Sequence, residues 1–371
     1  MAEWGVSVYL GDPELPQRLP GYLKAVAARG GRHVFTSLHI PEVPLAEAVA
    51  QMEALTQAAR DAGLAVVADI APRVLAELGA SPDNLEPLIA MGLSGVRLDY
   101  GFGPEAVGRF AANDLGLRIL LNASTVDPIF LKAVMAAGAD PSLLEGWHNY
   151  YPRPETGLAP AFVQRKSQLF WLHGLKVAAF VAGQTNRRGP LHMGLPTVER
   201  HRSMSPGRAA VELMAAGLIH TVVIGDPWAP EAELDQLSFV AGQNGVPLRV
   251  RLVADLPEAL RRLVVEPVHT NRMDASGMVI RSSASRSYAT PGTPVEPFHQ
   301  AMRPFGSVTI DNSRYLRYAG ELQITLQDLA EDPRVNVVGH VLPDDLPLLR
   351  QIGPGMAFRL VPVDDEGVAR A

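Results

Sequence analysis

The most constraining feature of this chain is a rhythm. Eight short apolar runs recur along its first two thirds: VSVYLG from Val6, HVFTSLHI from His33, LAVVADI from Leu64, GVRLDYG from Gly95, LRILLNAS from Leu117, LLEGWHNYY from Leu143, LKVAAFVAG from Leu175 and HTVVIGD from His220. Segments of helical periodicity separate them. In LAEAVAQMEALTQAARDAG, from Leu45 to Gly63, apolar residues return every three or four positions and a glycine closes the pattern; PEAVGRFAANDLG and PAFVQRKSQLFWLHGL behave alike. Strands alternating with helices specify a parallel α/β protein. Eight units ending near residue 243 match the ~250 residues usual for a closed (β/α)8, TIM-type barrel. An open doubly wound sheet is the alternative, but no G-x-G-x-x-G turn follows the first run.

After Gly245 the character changes. Alternating runs such as GMVIRSSASR, FGSVTIDN, ELQITLQDL and MAFRLVPV, broken by Pro and Gly, read as a small β-rich domain. The expected division is therefore residues 1–245 as barrel and 246–371 as β domain, with the boundary within 243–250. A length of 371 residues, 47% of them hydrophobic, can fill two such cores. A net charge of −6 with scattered basic residues carries no footprint for nucleic acid or a membrane surface. There are no cysteines, so disulfides, thiolate nucleophiles and Cys-ligated metals drop out. The N-terminus has no secretory pattern and no run of about 18 apolar residues occurs, which leaves the cytoplasm as the expected compartment.

Side chains alternate along a barrel strand between the interior and the helix layer. With Val6, Val8 and Leu10 against the helices, Ser7 and Tyr9 turn inward. The same reading puts Ser37 and His39 on one face of the second strand and Asp69 in the third; in the fourth, Arg97 and Asp99 share the inner face while Val96 and Leu98 face out. Asn122 and Ser124 follow in the fifth strand, and Asp226 ends the eighth. All lie near C-terminal strand ends, the rim where barrel enzymes place their sites. The sixth strand and its loop, EGWHNYYPRPETGL, add His148, Asn149, Arg153 and Glu155, with Trp147, Tyr150 and Tyr151 offering flat faces to a polar pocket.

Each residue also suits a purely structural task. Asp69 could cap a helix, Asp99 could be a buried acid satisfied by Arg97, and Glu155 could complement a helix N-terminus. His39 and His148 could be hydrogen-bonded packing residues. No H-E-x-x-H, G-x-S-x-G or P-loop motif is present, and a metal or other cofactor is not expected.

Taken together, SVYLG, FTSLHIPE, ADIAPRVL, RLDYGF, HNYYPRPETGL, RGPLHMGLPTVERHR and VIGDPW, followed by HTNRMDASGMVIRSSASR, TIDNSRYLRYAGELQI and VVGHV, resemble the 6-phospho-N-acetylmuramidase family over nearly the whole chain. The resemblance implies a TIM-type barrel followed by a cyclophilin-like β domain. It also implies hydrolysis of a disaccharide of 6-phospho-N-acetylmuramic acid and N-acetylglucosamine in cytoplasmic cell-wall recycling.

Most glycosidases flank the scissile bond with two carboxyl groups, one protonated as general acid and one ionised. Arg97 beside Asp99 favours the ionised role, and the apolar strand before Asp226 favours the protonated one, with Asp69 and Glu155 as substitutes. Attack by the substrate's own 2-acetamido carbonyl is a further route. Phosphate and lactyl carboxylate call for arginine forks, with Arg153, Arg200 and His201 from the barrel and Arg281, Arg286 and Arg314 from a β domain expected to cover the barrel mouth. Tyr9, His39, Asn122, His148, Asn149 and Tyr151 complete the expected substrate contacts. A homodimer is compatible with this reading. The rivals are a sugar-phosphate isomerase, epimerase or lyase, and a non-catalytic sugar-binding protein.

Overall fold

This computed structural model describes residues 3–12, 15–38, 44–215, 217–243, 245–285 and 295–363. The chain divides into two compact units, Met1–Met214 with Leu218–Gly242, and Ala215–Gly217 with Gln243–Ala371.

The first unit is a closed barrel of eight parallel strands in sequence order: β1 Glu3–Ser7, β2 His33–Ser37, β3 Ala65–Ile70, β4 Gly95–Leu98, β5 Arg118–Asn122, β6 Leu144–Trp147, β7 Lys176–Val181 and β8 Thr221–Pro227. Helices alternate with them: α1 Leu15–Ala28, α2 Leu45–Ala62, α3 Pro72–Glu77, α4 Glu86–Ala90, α5 Pro104–Phe110, α6 Pro128–Ala136, α7 Pro160–Trp171, α8 Pro206–Ala215 and α9 Glu231–Gly242. Among the described residues, no helix is long and apolar enough to cross a membrane.

Local chemistry sets these bounds. In α2 the buried Ala48, Met52, Leu55 and Ala59 keep the three-to-four spacing, and Gly63 closes the helix at φ 72°, a left-handed conformation that glycine adopts without a steric penalty. At α6, Asp127 accepts a bond from the Phe130 N–H at 2.7 Å while Pro128 fills the first helical position. The first strand ends earlier than its apolar pattern suggests. Opposite it, β8 bulges between the partners of Val6 and Ser7, and Ser7 pairs with Pro227, which has no N–H to continue the ladder. Tyr9 thus sits beyond β1, where the chain leaves the rim.

Large and small side chains alternate in the barrel interior, as native packing density requires: Tyr9, Phe35, Trp147 and Phe180 beside Val67, Ala178 and Val223. Phe35 lies 4.9 Å from Phe180 edge-on and 6.1 Å from Trp147 in a stacked arrangement, both typical of aromatic pairs. On β6, Gly146 admits the ring of Phe170 from α7, because a Cβ there would come within 2.6 Å of that ring. Trp147 belongs to this interior and not to the pocket wall expected for it: its Nε1 donates to Glu145 Oε2 at 2.9 Å, and Glu145 pairs with Arg118 at 3.0 Å.

The second unit is a seven-stranded sheet ordered β10-β15-β9-β14-β12-β13-β11, comprising β9 Val246–Leu252, β10 His269–Thr270, β11 Val279–Arg281, β12 Ser307–Asp311, β13 Leu322–Thr325, β14 Val335–Val341 and β15 Ala357–Pro362. Its pairings are antiparallel except for β15 with β9. Helix α10, Glu258–Val265, buries Leu260 and Val264.

The interior packing carries a stability prediction. Phe180→Ala should destabilise the barrel by about 3–5 kcal/mol, the usual cost of emptying a buried aromatic site. Denaturant unfolding of the full chain reads this, and a loss within ~0.5 kcal/mol, typical of surface substitutions, would contradict the packing described.

Candidate active site

At the C-terminal rim, strand register brings the polar residues together. Ser37, Asp69 and Arg97 are consecutive cross-strand partners on β2, β3 and β4, so their side chains share one layer on the inner face. The Arg97 side chain, 2% exposed as a residue, reaches from that layer toward the strand ends. Its Nη1 donates to Asp69 Oδ1 at 2.8 Å and to Asp99 Oδ1 at 3.1 Å. Its Nη2 donates to Asn149 Oδ1 and its Nε to the Trp147 carbonyl at 3.3 Å. Burial works to lower the Arg97 pKa, but Asp69 and Asp99 more than offset it, and the guanidinium is held charged above its ordinary value. Asn122 at the end of β5 donates to Asp99 Oδ1 at 3.3 Å. Four of the expected residues, Asp69, Asp99, Asn122 and Asn149, are therefore joined in one network around Arg97.

Beside this network lies an aromatic and cationic group. Tyr150 packs edge-on against Phe35 at 6.0 Å and Phe180 at 5.2 Å. Arg188 donates to the Tyr150 hydroxyl at 3.2 Å and stacks its guanidinium 3.6 Å over the Tyr9 ring. The Tyr9 hydroxyl donates to the Gly225 carbonyl at 2.8 Å, and burial holds it well above its ordinary pKa, so Tyr9 offers a ring and not an acid. Arg188 escaped the sequence reading, because a loop residue has no periodicity to betray its direction. The available signal was two adjacent arginines in TNRRGP, after the seventh strand and so on the functional face of a barrel.

Asp226 explains how Arg188 is held. Its carboxylate accepts the backbone N–H groups of Gly183 at 2.8 Å, Arg188 at 3.0 Å and Leu195 at 3.1 Å. Burial pushes this carboxyl above its ordinary value, and the three N–H donors pull it back. Glu233 of α9 adds bonds to Gln184 N at 2.9 Å and Thr185 Oγ1 at 3.4 Å. Asp226, the acid expected to work with Asp99, stands on β8, four strands from β4 around the closed barrel, with its carboxylate engaged by these backbone N–H groups. Asp99 is partnered instead with Asp69, through Arg97.

Other expected contacts are turned to structural tasks. His148 alternates outward between the inward-facing Trp147 and Asn149; it is 0% exposed, bonded to Ser124 Oγ at 3.1 Å and Ser167 Oγ at 3.0 Å, and burial drives its pKa down to about 3, leaving it neutral. Ser124 Oγ also receives the Asn149 N–H at 2.9 Å, so His148 braces the loop that presents Asn149. Glu155 is exposed at φ 70°, and what it contributes is a backbone N–H to Glu199 at 2.9 Å. Arg200 and His201 both bind Glu212 of α8, at 2.7 and 3.1 Å, which occupies the charge expected for an anion. The neighbouring Arg202 grips Glu199 at 2.7 and 2.6 Å and the carbonyls of Tyr151 at 2.9 Å and Gly194 at 3.0 Å, tying the loops after β6 and β7 together. Tyr151 is half-buried and Arg153 exposed in the same loop. In the second unit, Arg281 is bound by both oxygens of Glu321 at 2.7 and 2.9 Å, and the exposed Arg314 donates to the Pro333 carbonyl at 3.4 Å. His39 and Arg286 lie outside the described residues. Among the described residues, no three His, Asp or Glu side chains are grouped to hold a metal.

A cleft of ≈ 510 Å³ opens beside Asp99, between the loops that follow β4 and β5. Asp99, Asn122 and Asn149 line its polar end, and Phe102, Val126 and Phe130 its apolar wall. Volume and mixed lining are those of a small-molecule site.

Comparison with known proteins agrees with this architecture. Family models described as 6-phospho-N-acetylmuramidase, N-terminal and C-terminal, match residues 4–239 and 246–361. A crystal structure titled as an uncharacterized B. cereus protein is 32% identical, with TM-score 0.79, over 97% of this chain and 99% of that one. A conserved protein of unknown function from Enterococcus faecalis is 37% identical, with TM-score 0.64, over 97% and 96% of the two chains. No curated protein matches.

Asp226→Asn should loosen the loop that carries Arg188, because an amide nitrogen replaces one acceptor oxygen and faces a backbone N–H. Amide exchange at Gly183, Arg188 and Leu195 is expected to quicken by at least about tenfold, a loss of roughly 1.4 kcal/mol of local protection. Unchanged exchange there would remove the anchoring role.

Proposed function

Since the chain belongs to the 6-phospho-N-acetylmuramidase family and is a glycosidase, we propose that it hydrolyses a disaccharide of 6-phospho-N-acetylmuramic acid and N-acetylglucosamine, in cytoplasmic recycling of cell-wall fragments. The observation that carries the mechanism is the pair of carboxylates, Asp69 and Asp99, bound to the same nitrogen of a buried arginine. Water cleaves the bond between the anomeric carbon of the muramic sugar and the linking oxygen; the oxygen of water stays on that carbon, and the linking oxygen leaves as a hydroxyl of N-acetylglucosamine.

Two carboxylate oxygens bonded to one nitrogen at 2.8 and 3.1 Å are at most about 6 Å apart. That fits the ~5–5.5 Å spacing of retaining enzymes better than the ~6.5–9.5 Å that admits a water between the carboxyl groups. One acid of the pair serves the leaving oxygen and then the incoming water. The other attacks the anomeric carbon, or orients the substrate's acetamido carbonyl to do so. Either route inverts that carbon twice, so the configuration is retained. Asn122 and Asn149 fix the carboxylates and Arg97, and pre-organised geometry of this kind lowers the barrier.

Arg188 is the cation we assign to the phosphate or lactyl carboxylate. Its backbone anchorage and its stacking on Tyr9 present a fork already ordered for an anion.

Two sets of variants test this on the purified disaccharide. Asp69→Asn and Asp99→Asn should each lower kcat/KM by about 10²–10⁴-fold. Each should also lower the thermal unfolding midpoint, because each removes one counter-charge of the buried Arg97, so turnover is compared at a temperature where circular dichroism shows the variant folded. Turnover within tenfold of the parent in both would remove the pair from the chemistry. Arg188→Ala should raise KM by about 10- to 100-fold with kcat little changed, as expected for one charge-assisted contact of roughly 1.5–3 kcal/mol, and Arg188→Lys should recover little of it. Hydrolysis in ¹⁸O-labelled water should label the muramic product alone; an unlabelled product would favour a lyase or isomerase.

A further inference from the structure

The cleft between the β4 and β5 loops is lined by acidic, amide and apolar side chains. Its described lining contains three ionisable side chains, Asp99, Tyr100 and Asp127, and no arginine, lysine or histidine. Two cations bonded to its lining residues are committed elsewhere. Arg97 stands behind Asp99 and Asn149 with its nitrogens taken by Asp69, Asp99, Asn149 and the Trp147 carbonyl. Lys166 donates its Nζ to the Val126 carbonyl at 2.8 Å. A phosphate dianion or a carboxylate placed here would lose its hydration and meet two carboxylates with no counter-charge.

A neutral amino sugar meets the opposite situation. The Asn149 Oδ1 is used by Arg97, and its amide N–H groups have no partner among the described residues, so they remain as donors to a hydroxyl or an acetamido carbonyl. Phe102 is held edge-on to Phe110 at 5.7 Å, and with Val126 and Phe130 it forms an apolar wall suited to the C–H face of a sugar ring and to an acetamido methyl. Asp99 follows β4 at the polar end of this cleft and shares Arg97 with Asp69 of β3, while Arg188 belongs to the loop after β7, so the cation assigned to the anionic groups lies on a different loop from the cleft.

We infer that this cleft binds the departing, unphosphorylated N-acetylglucosamine and excludes the phosphorylated sugar, which fixes the direction in which the disaccharide lies across the acids. The inference rests on the activity proposed above. It adds a specificity-determining wall, with Phe102 and Phe130 its central residues.

The experiment compares two substrates: the disaccharide, and 6-phospho-N-acetylmuramyl fluoride, whose leaving group is too small to enter the cleft. Thr125 is exposed in the lining, and Thr125→Trp adds bulk to the cleft from the loop after β5. In this variant kcat/KM for the disaccharide should fall at least tenfold, through KM, while the value for the fluoride stays within about twofold of the parent. Phe130→Ala, which widens the cleft, should also lower the disaccharide-to-fluoride ratio, by at least fivefold, and supplies the answer should the bulkier variant fail to fold. Equal losses on both substrates, or a larger loss on the fluoride, would overturn the assignment. A parent enzyme that turns over neither substrate would overturn the activity and the assignment with it.

Discussion

Arg97 is the charge around which this site is built. A guanidinium 2% exposed near the mouth of a barrel cannot stand without partners, because removing one member of a buried charge pair costs about 3–5 kcal/mol. Its partners come from the ends of β3, β4 and the segment after β6, so satisfying one buried cation fixes three points of the rim relative to one another. The same bonds that keep Arg97 buried hold two carboxylates at glycosidase spacing. Stability and chemistry share these contacts, and neither can be altered alone.

The loops are held by backbone bonds to acids. Asp226 and Glu233 bind successive N–H groups of the segment after β7, while Arg202 and Glu199 clamp that segment to the one after β6. Burial brings Glu199 no stability by itself; its pKa is lowered from 4.5 to about 2 chiefly by the Arg202 hydrogen bond, then by the backbone N–H groups of Glu155 and Gly157. A carboxyl depressed on folding stabilises the folded chain above its unfolded pKa, near 4.5, and that contribution is lost as pH falls toward about 2. The Glu199 contribution is therefore complete throughout the neutral range.

Much of the barrel was legible in the sequence, because period-two and period-3.6 patterns report directly which faces are buried. Strand alternation pointed Asp69, Arg97, Asp99 and Asn122 inward, and these do converge. Direction is readable, but partnership is not. Nothing local says that the Asp226 carboxylate is consumed by three backbone N–H groups, or that Glu212 waits for Arg200 and His201. His148 stands one position out of phase with its inward neighbours, so the alternation itself could have excluded it. Arg188 lies where no alternation applies, and only the fold shows that its loop crosses the rim beside Tyr9 and Tyr150.

The most direct measurement of this account is the configuration of the muramic product at the instant of its release, read by NMR during the first minutes of turnover before mutarotation. An acid pair held within about 6 Å by one arginine nitrogen predicts that the anomer first formed has the configuration of the bond that was cleaved. First appearance of the opposite anomer would mean that water attacks directly, which requires carboxyl groups farther apart than Asp69 and Asp99, and the account centred on Arg97 would be wrong.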